Sequence, residues 1–296
     1  MEKTFMPNNI LITGANGQLG SEIKQLSKSD SEYSFFMTDK EELDITNKQA
    51  IEQYCEQNKI NIIVNCAAYT AVDKAETEQQ LADQINHQAV KHLAEIAKQK
   101  QIALIHISTD YVFNGQNYQP YKETDKTDPQ SVYGKTKLKA EQALLKINPE
   151  NSIIIRTSWV YSSYGNNFVK TMLRLGNDRD ELGVIFDQIG TPTYAKNLAQ
   201  AILNIIPQLK NQQVEIYHYS NEGACSWYDF AKAIFENENI SCKVNPIETK
   251  QYPTPATRPH YSLLNKGKIK QAYGITIPYW KDSLSECLKQ IKEIKG

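Results

Sequence analysis

Short apolar segments rich in β-branched or aromatic residues alternate with helical patterns through the first half of the 296-residue chain. These segments are 9–13, 33–37, 61–65, 102–107 and 152–156. None alternates cleanly between apolar and polar residues, as expected for parallel strands covered on both faces. The clearest helical pattern spans 78–100, with one face carrying Leu81, Ile85, Ala89, Leu93 and Ile96. This repetition predicts an α/β fold with a Rossmann-type, doubly wound parallel sheet.

The regular repetition stops after residue 156, and the second half is richer in proline. The prolines there include Pro192, Pro246, Pro253, Pro255, Pro259 and Pro278. Helical patterns continue at about 194–206, 226–236, 262–272 and 280–295. We interpret 1–156 as the main domain and 157–296 mainly as a smaller lobe on the carboxyl edge of the sheet. Segments near 187–210 are expected to return to the main domain.

Composition and charge exclude several classes of function. The formal net charge is −1 and the isoelectric point is near 6.5, which argues against nucleic-acid and membrane partners. No segment approaches the roughly 20 apolar residues of a membrane span, and the N-terminal MEKTFMPNN lacks the apolar core of a signal peptide. The five cysteines are widely spaced and form no CxxC pair, which predicts free thiols, no zinc site and a cytoplasmic location.

The segment ILITGANGQLGSEI places Gly14, Gly17 and Gly20 between the first predicted strand and the following helix. Glycines let the backbone turn sharply and approach a pyrophosphate, which then meets the positive end of the helix. The alternative is a strand–turn–helix connection that merely needs glycine. Because the segment opens a βαβ unit, we predict a dinucleotide site, and therefore an NAD(P)-binding main domain with a substrate-binding second lobe.

An acidic residue at the end of the second strand commonly binds the adenosine ribose. Asp39 stands about 20 residues beyond the glycines, as this arrangement requires, and favours NAD. Lys40 beside it offers a cation to a 2′-phosphate, so the predicted cofactor is NADPH or NADH. Asp44 is a second polar candidate, or it simply precedes a helix.

A tyrosine and a lysine at positions i and i+4 lie on one face of a helix. A neighbouring ammonium lowers the pKa of a phenol, which then serves as a proton donor or acceptor near neutral pH. The YxxxK pattern occurs three times, at Tyr118, Tyr133 and Tyr228. Pro120 prevents the first from being helical, and the third lies in the second lobe. We therefore favour Tyr133 with Lys137, on a helix that Ser131 is predicted to cap.

The segment STDYVFNG, residues 108–115, begins where the fourth predicted strand ends. Thr109 would then face the same cleft as Tyr133 and hold a substrate carbonyl against the phenol, with Ser108 as its neighbour. The structural alternative is that both hydroxyls only satisfy backbone groups at the end of the strand.

With these residues assembled, the chain resembles the extended short-chain dehydrogenase/reductases, and among them the dTDP-4-dehydrorhamnose reductase family, over nearly its whole length. The resemblance rests on an ordered series of motifs: TGANGQLG, NCAAYTAVDKAE (65–76), STDYVFNG, VYGKTKLKAE (132–141), RTSWVY (156–161), GNNFVKTML (165–173), DQIGTPT (187–193) and TPATRPHYSLLN (254–265). YxxxK alone is unspecific, but this series in this order is highly specific.

The resemblance implies reduction of the C4 ketone of dTDP-4-dehydro-6-deoxy-L-mannose by a reduced nicotinamide. It implies that Tyr133 donates the proton, that Lys137 holds the nicotinamide ribose and lowers the tyrosine pKa, and that Thr109, Asp110 and Trp159 contact the sugar. The implied cofactor residues are Gly17, Gln18, Leu19, Asp39, Asp44, Ile45, Ala68, Tyr69 and Thr70. The alternative for Trp159 is an ordinary core tryptophan. Arg258 is a candidate clamp for the diphosphate, or half of a surface ion pair.

One position departs from the family pattern. Some members dimerise around a metal ion held by glutamates; Glu22 is present here, but Lys196 follows DQIGTPTYA, and a lysine repels a divalent ion. We therefore expect no metal, and a monomer or weak homodimer.

Two rival functions remain open: a nucleotide-sugar epimerase or dehydratase of the same fold, and a regulatory subunit like that of methionine adenosyltransferase. Thr109 is followed by Asp110 and Tyr111, whereas dehydratases usually have an Asp-Glu pair there, which argues against a dehydratase. The intact Tyr133 and Lys137 argue against a regulatory subunit that has lost catalysis.

Overall fold

The computed structural model describes residues 9–29 and 32–295 of the chain. Most of the N-terminal segment that lacks a signal-peptide core, residues 1–8, lies outside the described residues. In the first half, the strands and helices follow the predicted alternation. They are β1 (Asn9–Thr13), α1 (Gln18–Leu26), β2 (Ser34–Thr38), α2 (Lys48–Gln57), β3 (Ile62–Asn65), α3 (Val72–Ala75), α4 (Gln79–Asp83), a π-helical turn (Gln84–Gln88), α5 (Ala89–Lys100), β4 (Ala103–Thr109), α6 (Val132–Ile147) and β5 (Ile153–Thr157).

The second half consists of helices and short strands. They are β6 (Val160–Tyr161), α7 (Phe168–Asp178), β7 (Glu181–Ile185), β8 (Ile189–Gly190), β9 (Thr193–Tyr194), α8 (Ala195–Ile205), β10 (Glu215–His218), β11 (Cys225–Ser226), α9 (Trp227–Glu238), β12 (Lys243–Ile247), α10 (Gly267–Tyr273) and α11 (Trp280–Lys295). No helix within the described ranges is long and apolar enough to cross a membrane.

The central sheet has six strands in the order β10-β5-β4-β3-β1-β2, and all its pairings are parallel. The predicted fold class, a doubly wound parallel sheet, is confirmed. One face of the sheet packs Ile10 and Ile12 of β1 against α1 and α8, and the other packs Leu11 against α2, α5 and α6. Burial of alternate residues on opposite faces explains why the strand sequences do not alternate in polarity.

The predicted helix over 78–100 is interrupted by the π-helical turn. Ala89, Leu93 and Ile96 are fully buried, as the pattern predicted, but Leu81 is 42% exposed and Ile85 only half-buried. The prediction of one continuous apolar face was wrong at this end, because a π turn holds one extra residue and rotates the preceding turns relative to the core.

The second lobe has its own hydrophobic core. Its members include Tyr161, Val169, Phe230, Ile234 and Leu284, contributed by β6, α7, α9 and α11. Two-stranded ladders join β7 to β12, β8 to β11 and β6 to β9. The chain also returns to the main sheet after residue 190, since α8 covers one face and β10 extends its edge. The lobe and the carboxyl ends of the strands together enclose a cleft.

Candidate active site

The cleft has a volume of about 990 Å³ and brings together nearly all of the predicted site residues. The predicted residues that line it are Gly14, Gly17, Gln18, Leu19, Asp39, Asp44, Ile45, Ala68, Thr70, Thr109, Asp110, Tyr133, Lys137, Trp159 and Arg258. Gly20 and Tyr69 are not among the lining residues. A cleft at the carboxyl ends of parallel strands is where open α/β sheets bind their ligands.

The glycine turn brings the backbone close to the cleft. Gly14 has φ +66°, and a Cβ there would lie 2.7 Å from the backbone of Ala67, so a side chain is excluded on both counts. Gly20 packs α1 against the turn, since a Cβ there would lie 2.4 Å from the Gly14 carbonyl. Gly17 precedes α1 and supplies no side-chain cap. The first N–H groups of the helix therefore remain available to an anionic ligand in the cleft.

Two acidic residues form the wall that follows β2. Asp39 accepts a hydrogen bond from the backbone N–H of Asn16 at 3.1 Å, which ties it to the glycine turn. Asp44 accepts from the N–H of Thr46 at 2.9 Å and from its hydroxyl at 2.7 Å. These hydrogen bonds hold the Asp44 pKa below its usual value, so this wall of the cleft carries negative charge.

The loop after β3 is fastened by Asn86, a residue that the sequence analysis missed. Its side chain, fully buried in the π-helical turn, accepts from the N–H of Tyr69 at 2.8 Å and donates to the Tyr69 carbonyl at 3.1 Å. It also donates to the Thr136 hydroxyl on α6 at 3.2 Å. The Tyr69 phenol points away and donates to Glu78 at 2.5 Å. Asn86 thus joins the predicted cofactor loop to the helix of Tyr133 and Lys137.

The start of α6 matches the prediction. The Ser131 hydroxyl accepts from the N–H of Gly134 at 3.1 Å, which confirms it as the N-cap. A Cβ on Gly134 would lie 2.3 Å from the Tyr111 carbonyl, so α6 begins in close contact with the segment after β4. Tyr133 and Lys137 follow one turn apart, and both line the cleft.

Burial raises the pKa of Tyr133 to about 12, while the neighbouring Thr109 hydroxyl acts in the opposite direction. Burial lowers the pKa of Lys137 to about 8. The expected lowering of the tyrosine pKa by Lys137 is therefore wrong for the chain alone, because desolvation of the phenolate dominates. Tyr133 is a protonated phenol at neutral pH, which is the state that a proton donor needs.

Thr109 and Ser108 have different partners. The Thr109 hydroxyl contacts Tyr133, accepts from the N–H of Tyr111 at 3.2 Å and donates to Asp110 at 3.0 Å. The Ser108 hydroxyl donates to Glu141 at 2.5 Å, and Glu141 forms a buried ion pair with Arg156 at 2.7 Å. The catalytic interpretation thus fits Thr109, whereas Ser108 supports the structure behind the site.

Asp110 is a buried carboxyl, 2% exposed, in the floor of the cleft. Burial raises its pKa to about 6, although the hydrogen bond that the Thr109 hydroxyl donates to it at 3.0 Å acts in the opposite direction. The group therefore changes charge within the range of ordinary buffers, close to the phenol of Tyr133.

Aromatic side chains of the second lobe form the opposite wall. Trp159 has φ +49°, a strained value for a bulky residue, and its ring stacks on Trp227 at 3.6 Å between centroids. Phe168 lies 4.7 Å from the Trp227 ring. Trp159 is therefore not an ordinary core tryptophan, since it lines the cleft. Trp227 and Phe168 were missed, because nothing in their local sequence separates them from core aromatics.

Arg258 forms an ion pair across the mouth of the cleft. Its two terminal nitrogens donate to the carboxylate of Asp73 on α3 at 2.7 and 3.0 Å. The Asp73 carboxylate also accepts from the N–H of Ala256 at 3.1 Å, so the pair fastens the 256–258 loop to the main domain. Arg258 is therefore half of an ion pair, as one alternative predicted, and it also lines the cleft, so its role as a diphosphate clamp stays a prediction.

The residues considered for a metal ion have other partners. Glu22 is buried and accepts from the Ser162 hydroxyl at 2.6 Å. Lys196 pairs with Glu286 at 2.5 Å. Within residues 9–29 and 32–295, no three His, Cys, Asp or Glu side chains are grouped as a metal site. All five cysteines are free thiols.

The chain is similar to known proteins over nearly its whole length. Residues 8–293 match the family model described as the RmlD substrate binding domain. A curated dTDP-4-dehydrorhamnose reductase from Aggregatibacter actinomycetemcomitans is 46% identical over 285 residues, covering 93% of this chain and 96% of the relative. The chain belongs to the dTDP-4-dehydrorhamnose reductase family. The resemblance inferred from the motif series is confirmed.

Solved structures of the family have the same fold. A dTDP-4-dehydrorhamnose reductase from Clostridium acetobutylicum superposes with a TM-score of 0.91 at 43% identity, covering 96% of this chain and 99% of that one. Another, from Bacillus anthracis in complex with NADP, gives a TM-score of 0.90 at 39% identity, covering 96% of this chain and all of that one. Family membership at this coverage applies to both lobes of the chain.

Proposed function

We propose that this chain reduces the C4 ketone of dTDP-4-dehydro-6-deoxy-L-mannose with NADPH or NADH, giving dTDP-L-rhamnose. This is the last step of dTDP-rhamnose biosynthesis. The observation that carries the proposal is the convergence of Tyr133, Lys137 and Thr109 on one cleft with the glycine turn. The names of the family relatives support the substrate, and the NADP in the B. anthracis structure supports the cofactor class.

The residues of the main domain fit a dinucleotide. The uncapped start of α1 and the Gly14–Gly17 backbone suit a pyrophosphate, and the space around Gly17 would be reduced by any side chain. Asp39, with Lys40 beside it, would hold the adenosine ribose, and the segments Asp44–Ile45 and Ala68–Thr70 would enclose the rest. The reduced nicotinamide, when bound, supplies a hydride to the ketone carbon.

The residues of α6 and the end of β4 are proposed to donate the proton to the C4 oxygen and to orient the groups around it. The Tyr133 phenol, protonated at neutral pH, gives its proton to the C4 oxygen as charge develops there. The Thr109 hydroxyl would donate a hydrogen bond to the same oxygen and orient the phenol. Lys137 holds the nicotinamide ribose and places its ammonium beside the phenolate that Tyr133 becomes, which stabilises that charge.

The second lobe is proposed to hold the dTDP-sugar. The apolar face of the Trp159 ring would cover the sugar, and Asp110 would accept hydrogen bonds from its hydroxyls. Arg258 would exchange Asp73 for the diphosphate, to which its planar guanidinium is equally complementary. We also propose a cytoplasmic monomer or weak homodimer without nucleic-acid or membrane partners, a location that the free thiols support.

The test is loss of the reduced-nicotinamide absorbance when purified protein meets dTDP-4-dehydro-6-deoxy-L-mannose made in situ, with NADPH and NADH compared in parallel. We expect oxidation of one cofactor equivalent for each dTDP-L-rhamnose formed. Cofactor binding without oxidation would overturn the reductase assignment and favour a regulatory subunit. Interconversion of sugars without net oxidation would instead indicate an epimerase or dehydratase.

A further inference from the structure

Three polar side chains form a buried row across the middle of the central sheet. Thr13 on β1, Asn65 on β3 and His106 on β4 are direct register partners, and each is at most 1% exposed. The Thr13 hydroxyl lies 2.6 Å from Asn65 Oδ1, and Asn65 Nδ2 lies 3.1 Å from His106 Nδ1. Burying three polar groups among apolar strands is costly unless each one is paired, and here each is.

The row ends on Lys137. His106 Nε2 lies 3.3 Å from Lys137 Nζ, and Lys137 Nζ also donates to the Ile107 carbonyl at 2.6 Å. An ammonium has three N–H donors in a tetrahedral arrangement. One of them is donated to the Ile107 carbonyl, and His106 Nε2 can accept a second when it carries no hydrogen, which leaves the third for the cleft that Lys137 lines. Without His106, a single hydrogen bond would leave the ammonium free to rotate about its stem.

His106 is suited to this contact because it stays neutral. Full burial and the adjacent Lys137 hold its pKa well below the usual value. A neutral imidazole offers one lone pair and one N–H, so its tautomer depends on both neighbours. When Asn65 donates to Nδ1, the hydrogen lies on Nε2 and faces a neutral amine. When Asn65 turns its oxygen toward Nδ1, Nε2 becomes an acceptor for the ammonium.

We propose that His106, held in place by Asn65 and Thr13, is a positioning residue that directs the ammonium of Lys137 toward the cofactor ribose and Tyr133. This inference rests on the proposed function, because it assigns Lys137 its role there. Turning the Asn65 amide changes His106 Nε2 from a donor to an acceptor, so the row can match either protonation state of Lys137. The competing explanation is a structural one, in which the hydrogen bonds of the row only pair its buried polar groups with one another.

The test uses a pair of substitutions that differ in reach. The terminal group of glutamine in His106→Gln reaches the place of Nε2, whereas that of asparagine in His106→Asn reaches only the place of Nδ1. We expect His106→Gln to keep kcat within roughly 3-fold of the wild type. His106→Asn and His106→Leu should lose about 10- to 100-fold, because displacement of a positioned group by about 1 Å has effects of that size.

Cofactor affinity supplies a readout that does not depend on turnover. Trp159 and Trp227 line the cleft, so NADPH binding is measurable by energy transfer from tryptophan to the reduced nicotinamide. We expect a higher Kd for NADPH in His106→Leu and His106→Asn and an unchanged Kd in His106→Gln. If the wild type binds NADPH but does not turn over the dTDP-sugar, the proposed function fails while this comparison still decides the role of His106.

A double-mutant cycle separates positioning from structure. If His106 acts through Lys137, His106→Leu should have no further effect on kcat or Kd in a Lys137→Met background. Additive effects, or equal losses in the glutamine and asparagine variants, would overturn the proposal. If His106→Leu does not fold, Thr13→Val tests the far end of the row. A lower kcat with unchanged thermal stability supports the proposal, and unchanged kcat contradicts it.

Discussion

At the residue scale, the same tyrosine–lysine pattern is repeated in the sequence, and its copies differ in where the fold places them. YxxxK occurs three times, and the structure leaves only Tyr133 with its lysine in the cleft. Tyr118 is 84% exposed in a loop, and Tyr228 lies on α9 in the second lobe. The YxxxK pattern itself is the same at all three places. Pro120 excludes the first pair from a helix, and the position relative to the ends of the strands separates the other two.

Tyr133→Phe removes the phenol and keeps the ring that packs against Tyr111 at 5.5 Å. We expect kcat for ketone reduction to fall by about 10²- to 10⁴-fold, since that is the usual contribution of a positioned acid. NADPH affinity should change little. Tyr228→Phe is the matched control and should retain wild-type turnover in the same absorbance assay. A Tyr133→Phe enzyme with undiminished kcat would mean that another group donates the proton.

The raised pKa of Asp110 predicts a pH-dependent stability. The carboxyl titrates near pH 6 when folded and near 3.8 in the reference state, so its stabilising contribution is lost as the pH rises through about 6. Asp110→Asn should therefore be more stable than the wild type at neutral pH, by about 1–3 kcal/mol, and equal to it below about pH 4. Denaturant unfolding across this range measures the difference. Asp282→Asn, an exposed control on α11, should show no such crossover; a constant difference for Asp110→Asn would refute the argument.

At the element scale, the five strands of the first half were predictable because short apolar segments bounded by turns favour strands. Four of them are buried as predicted, whereas β2 is only partly buried because it lies at the edge of the sheet. The π-helical turn was not, since apolar residues spaced by four continue through 81–93 whether or not the helix gains a residue. Leu81 and Ile85 thereby form part of the cleft wall instead of the core. The edge strand Glu215–His218 also escaped prediction, because four residues of mixed polarity provide too weak a pattern.

The π-helical turn has a consequence that Asn86→Ala can test. The substitution leaves the N–H and carbonyl of Tyr69 and the Thr136 hydroxyl without their buried partner. We expect the free energy of unfolding to fall by about 2–4 kcal/mol and the Kd for NADPH to rise, because the 68–70 loop loses its anchor. Urea unfolding and tryptophan energy transfer measure the two effects. Gln80→Ala, exposed on α4, is the control; lower stability with unchanged Kd would show that the loop is held by other contacts.

At the scale of the whole molecule, the site is built by two lobes that differ in how well sequence describes them. The glycine turn, the Tyr133–Lys137 pair on α6 and the end of β4 belong to the regular alternation of strands and helices. The sequence pattern therefore predicts that they lie close together. Trp227, Phe168 and the Asp73 partner of Arg258 come from segments far apart in the chain, and no periodicity connects them. Their placement depends on how the second lobe packs, which a single sequence constrains only weakly.

The Arg258 loop is where the two lobes meet at the cleft, and Arg258→Met tests its part in substrate binding. Methionine keeps the apolar stem but removes the guanidinium that pairs with Asp73. We expect the KM for the dTDP-sugar to rise by about 10- to 100-fold with kcat nearly unchanged, because a lost charge-assisted contact to a diphosphate weakens ground and transition states alike. Arg174→Met, whose exposed partner Asp178 lies on the same helix, should leave both constants unchanged. A fall in kcat at constant KM would instead place Arg258 in the chemical step. If neither kcat nor KM changes, the Arg258–Asp73 pair only holds the 256–258 loop in place.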